Sequence, residues 1–70
     1  MKRKLVIFGS GDIAQIANLY FSTDSDYEVV AFTVDSDHLK HHEFCNLPVV
    51  CFEDISDEYP PAEHSMFVAI

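Results

Sequence analysis

Lys4-Leu5-Val6-Ile7-Phe8-Gly9-Ser10-Gly11-Asp12-Ile13-Ala14 decides the reading of this chain. Its first half, Lys4–Phe8, is a continuous apolar run, as expected of a strand covered on both faces in a parallel sheet. Its second half breaks that run with Gly9-Ser10-Gly11 and then changes period. From Asp12 to Ser22, Ile13, Ile16, Ala17 and Tyr20 fall at i, i+3, i+4 and i+7. Gln15, Asn18 and Ser22 fall on another side, which predicts a helix over 12–22. Asp12 at its start suits the helix dipole.

Outward from this unit the alternation continues. Thr23-Asp24-Ser25-Asp26 reads as a turn. Tyr27–Asp35 is β-branched and aromatic and ends on an acid, which predicts a second strand. Ser36–Asn46 is polar and not regular throughout. Pro48-Val49-Val50 predicts a short third strand. Phe52–Tyr59 predicts one or two helical turns, stopped by Pro60-Pro61. Met66–Ile70 predicts a fourth strand. The expected fold is α/β, a small Rossmann-like parallel sheet (β-α-β-β-β) in spatial order 3-2-1-4 with right-handed crossovers. A chain that stops inside a strand is expected to be an amino-terminal fragment, truncated before its last helix.

Composition excludes several function classes. The 70 residues carry 4 Lys+Arg against 12 Asp+Glu, a net charge of −8. Phosphate backbones and anionic membranes select basic faces, so neither nucleic acid nor a membrane is an expected partner. Hydrophobic residues make up 49% of the chain, which is too apolar for a disordered acidic tail. The longest apolar stretch near the start, Leu5–Phe8, is too short for a membrane span or a secretory signal. A cytoplasmic location is expected, and with it free thiols at Cys45 and Cys51. There is no internal repeat, low-complexity run or linker.

Gly9-Ser10-Gly11-Asp12-Ile13-Ala14 is a G-x-G-x-x-A between a strand and a helix, the setting of a dinucleotide fingerprint. Gly9 permits a turn with positive φ. Gly11 lets backbone approach a phosphate; a branched residue there is expected to fill the phosphate's space and to strain the turn. Ala14 lets helix and strand pack closely, and N–H groups at the helix start face an anion. Ser10 is expected to donate a hydrogen bond to phosphate. Asp35, 24 residues beyond Gly11, suits a nucleoside contact, since an acid ending the second strand accepts from ribose hydroxyls. Asp37 is its back-up. His38, His41, His42, Cys45 and Cys51 cluster without any standard zinc spacing, so no metal is expected. No catalytic constellation is assembled, and the catalytic set is empty.

Taken together, KLVIFGSGDIAQIANLYF, YEVVAFTVD, CNLPVV, FEDI, YPP and MFVAI resemble the amino-terminal domain of bacterial sugar O-acyltransferases. These are enzymes of the sialic-acid O-acetyltransferase (NeuD) and PglD type. The resemblance spans residues 1–70 and implies a small Rossmann-like domain that binds a nucleotide-linked sugar. It implies that Gly9, Ser10 and Gly11, with Asp12 beside them, face the phosphate and that Asp35 meets the nucleoside. It further implies a hexapeptide-repeat β-helix that follows, is absent from this chain, binds acetyl-CoA and holds the catalytic histidine. The parent would be a homotrimer, and the chain itself would need no cofactor. Asp12 and Ile13 stand where the family often has Gly-His. Two other readings fit the residues. One is the start of an NAD(P)-binding oxidoreductase, in which Asp35 would favour NAD. The other is a ligand-free assembly module.

Overall fold

The computed structural model describes residues 2–69. β1 (Arg3–Phe8) leads into α1 (Asp12–Thr23) and β2 (Tyr27–Val34). A 3-10 turn (Ser36–His38) precedes β3 (Glu43–Phe44) and β4 (Leu47–Cys51). A second 3-10 turn (Phe52–Asp54) runs into α2 (Ile55–Glu58), and β5 (His64–Val68) follows. The sheet order is β3-β4-β2-β1-β5. β1 lies parallel to β2 and β5, and β2 lies parallel to β4. This is a mixed, mostly parallel α/β sheet, compatible with a Rossmann-like arrangement.

The four expected strands appear in the expected order, but the sheet is not all parallel. β3 pairs antiparallel with β4. Cys45 and Asn46 make the hairpin, with φ of 53° and 65°. Two consecutive positive φ values match the twist of the flanking strands, as in a two-residue type I′ loop. The pair lacks the glycine that usually announces such a turn, so the sequence hides it. The fourth strand begins two residues earlier than expected, at His64, and Ile70 lies outside the described residues.

β1 is central, and Leu5, Val6 and Ile7 are buried. Leu5 and Ile7 join Ala14, Ala17, Val29 and Phe32 in the core under α1. Val6 joins Ala31 and Ile55 on the opposite face, under α2. Alternation would put Val29 and Ala31 on one face. The register shifts between Leu5 and Val6, so that Leu5 pairs with Val29 and Val6 with Ala31. The irregularity turns Ala31 to the α2 side. Thr33 is buried within the sheet, and its hydroxyl donates to the Val50 carbonyl at 2.8 Å.

α1 runs one residue beyond the expected helix, and its alanines rather than its isoleucines face the sheet. Ala14 and Ala17 are buried, whereas Ile13, Ile16, Leu19 and Tyr20 are exposed, Ile16 by 67%. Small residues face the sheet because the tight turn at Gly9 brings the helix start close to β1. A Cβ built on Gly9 would lie 3.6 Å from the Cβ of Ala14. An isoleucine would not fit there. Residues 13–23 carry no charged side chain, so the outer face of α1 is uncharged and exposes Ile13, Ile16, Leu19 and Tyr20 beside Gln15 and Ser22.

Candidate functional site

The carboxyl ends of β1 and β2 meet at the start of α1. In open α/β sheets, ligands settle outside the carboxyl ends of the strands. A cleft of about 310 Å³ opens here, lined by Phe8, Gly9, Ser10, Val34, Asp35 and His38. The fold thus brings Gly9, Ser10 and Asp35 together although 24 or more residues separate the acid from the loop. Gly11 and Asp12 stand at the adjoining helix start and do not line this cleft.

The two glycines serve different ends. Gly9 has φ of +130°, and a Cβ on it would come within 2.6 Å of the Ala69 carbonyl oxygen. Its role is structural: it lets the chain turn beneath the end of β5. Gly11 has φ of −96° and ψ of −162°, extended backbone open to any residue. The strain expected for a branched residue there is therefore absent. A Cβ on Gly11 would meet no atom within 4 Å. Neither backbone conformation nor packing requires glycine at this position.

Gly11 is also the N-cap of α1, and no side chain caps the helix. The Gly11 carbonyl accepts the first helical bond, from Gln15 N–H at 3.0 Å. The N–H groups before Gln15 have no acceptor within the helix and point out of its end. A helix start of this kind attracts anions. Asp12, in the first turn, is exposed.

β2 ends one residue earlier than expected, so Asp35 stands just beyond it, at the head of the 3-10 turn. Its backbone carbonyl accepts from His38 N–H at 2.9 Å. Its side chain caps nothing and is exposed. The His38 Nδ1 lies 3.9 Å from the Asp35 Oδ2, an ion pair when the ring is protonated. Ser36, next in the turn, donates from Oγ to Glu53 Oε2 at 2.8 Å. That bond, made to the ionised form, holds the Glu53 carboxyl below its usual range. The bond fastens the Asp35–His38 turn to the segment after β4, and it weakens as falling pH protonates Glu53. Phe8 closes the α2 side of the cleft, with its ring edge-to-face on Phe52 at 5.2 Å.

No family model, curated protein or solved structure matches this chain. The site therefore rests on its own geometry. That geometry adds Phe8 and His38 to the expected residues. The i, i+3 spacing of Asp35 and His38 is a signal the sequence does carry, masked there by the neighbouring histidines. No three His, Cys, Asp or Glu among the described residues form a cation site. Asp37 does not line the cleft.

Cys45 and Cys51 are free and half-buried. Burial raises the Cys51 thiol above its ordinary range, and the carboxylates of Glu53, Asp54 and Glu58 raise it further. Only the thiolate reacts, so a raised pKa slows reaction near neutrality. In a Cys45→Ser background, Cys51 is expected to alkylate with iodoacetamide more slowly than a cysteine in an unstructured peptide. Mass spectrometry over time checks this; an equal rate would contradict it. No helix of the described residues is long and apolar enough to cross a membrane.

Proposed function

We propose that this chain binds a nucleotide-linked sugar at the carboxyl ends of β1 and β2. On this reading it is the substrate-binding part of an acetyl-CoA-dependent sugar acetyltransferase. The carrying observation is Gly11. Its backbone and packing leave the residue free, yet it is the one residue type that keeps the uncapped start of α1 open to an incoming phosphate. The phosphate sits against Ser10 and Gly11, and Asp35 accepts from a ribose hydroxyl or a base N–H. The sugar and the acetyl transfer come from the resemblance to the acyltransferase family. No residue of this chain is assigned to acetyl-CoA or to the transfer step.

Asp35→Ala tests the reading. A hydrogen bond to a charged acceptor contributes roughly 1.5–3 kcal/mol, about ten- to a hundredfold in affinity. Calorimetry with UDP-, dTDP-, GDP- and CMP-sugars is expected to show that loss for whichever binds tightest. Folding should change little, because the carboxylate is exposed and caps nothing. If NAD binds instead and loses affinity on the same substitution, the oxidoreductase reading takes over. If neither class binds the unaltered protein, the uncharged outer face of α1 favours the assembly module.

A further inference from the structure

The crevice described above continues past His38. A second cleft, of about 250 Å³, shares Ser10, Val34 and His38 with the first. Lys40, His41 and Glu43 complete its polar lining. Lys2, Arg3 and Lys4, which are all the remaining Lys and Arg residues, line a separate cleft by the first residues of β5. Lys40 is thus the one permanently positive side chain in a crevice read here as binding phosphate.

The charges facing His38 and His41 make this significant. From their own turn comes Asp35, with Asp37 beside it. From the segment leading into β3 comes Lys40, from β3 itself Glu43, and from the 3-10 turn after β4 Glu53, held 2.8 Å from Ser36 Oγ. β1, β2 and β4 contribute Phe8, Val34 and Val49, which carry no charge, and the loop contributes Ser10. With both imidazoles neutral, the lining acids Asp35 and Glu43 outnumber Lys40, and the crevice repels phosphate. With both protonated, two positive charges join Lys40 and offset the surrounding acids, which relieves that repulsion. Imidazole is the side chain that changes charge between pH 5 and 8.

We propose that ligand binding in this crevice is proton-linked, with protonated His38 and His41 joining Lys40 in holding a ligand phosphate. The inference rests on the nucleotide-sugar reading and adds a pH dependence to it. The sign follows from linkage. A phosphate that favours the charged imidazole raises its pKa on binding, so affinity rises as pH falls.

The test is calorimetry with the tightest-binding nucleotide sugar of the panel, at about pH 6 and about pH 8. Its phosphates are esterified and keep the same charge across that range. Each imidazole whose pKa rises by one unit on binding tightens the complex at the lower pH by roughly fivefold, and by tenfold at most. Titration near neutrality in buffers of different ionisation enthalpy is expected to show proton uptake. His38→Asn with His41→Asn is expected to remove both the uptake and the pH dependence. His42→Asn, which alters a ring outside both clefts, should keep them. Equal affinity at both pH values without proton uptake would overturn this proposal and leave the nucleotide-sugar reading standing. Failure of every nucleotide sugar to bind at either pH would overturn both.

Discussion

Gly9→Ala is expected to leave much of the protein unfolded. The backbone at this position has φ of +130°, outside the range of L side chains. Holding alanine there costs about 1–3 kcal/mol. The new Cβ would also come within 2.6 Å of the Ala69 carbonyl oxygen. That oxygen cannot easily retreat, because Ala69 N–H donates to the Phe8 carbonyl at 2.9 Å and Ala69 itself is buried. Relieving the overlap costs about 1–3 kcal/mol more. A domain of this size is stable by roughly 4–10 kcal/mol in all, so the two effects together remove a large share. Urea unfolding followed by far-ultraviolet circular dichroism should show a much lower midpoint or no cooperative transition. A midpoint equal to that of the unaltered protein would show that β5 does not close over Gly9 as described.

Gly11→Val is expected to do the opposite: to fold normally and lose the ligand. The φ and ψ of Gly11 suit a β-branched residue, and no atom stands within 4 Å of the new Cβ. Valine is a poorer N-cap than glycine, so stability should fall by about 1 kcal/mol, which leaves the protein folded. The isopropyl group would fill the space in front of the uncapped N–H groups, where the proposal seats a phosphate. Charge-assisted bonds to those groups would be lost together, and binding should weaken by at least about a hundredfold. Calorimetry on the folded variant reads the result. Retained affinity would place the phosphate elsewhere, and loss of folding would assign Gly11 a structural role. Compared side by side, the two glycine variants separate the part of the loop that shapes the protein from the part that meets the ligand.

Most of this framework was legible in the residues because it depends on local pattern. KLVIF reads as a buried central strand, and Leu5, Val6 and Ile7 are buried. The glycine pair marks the turn into α1, which starts at the expected Asp12. Pro60-Pro61 stops the helix, and α2 ends at Glu58, just before them. The hairpin at Cys45-Asn46 was not legible, because positive φ was reached without glycine, held by the antiparallel pairing of β3 with β4. Which side of α1 is buried was not legible for a related reason. Helical period says which residues share a face, and hydrophobicity then favours the isoleucines. The distance between helix and sheet selects the alanines instead, and that distance is set by the turn at Gly9.

The site divides in the same way. The sequence by itself determined the residue types: a glycine loop between a strand and a helix, an acid closing the second strand, and an acidic chain with its few cations in two places. These follow from local pattern and composition, which need no knowledge of what lies across the fold. Only the tertiary structure decided that Gly9 is held by Ala69 and Gly11 by nothing. It alone joined Ser10 to Asp35, His38, Lys40 and His41 along one crevice, and moved Lys2, Arg3 and Lys4 to another cleft. The physical reason is parallel pairing. β1 and β2 run the same way, so their carboxyl ends and the loops that follow must meet, however far apart those loops lie in the chain.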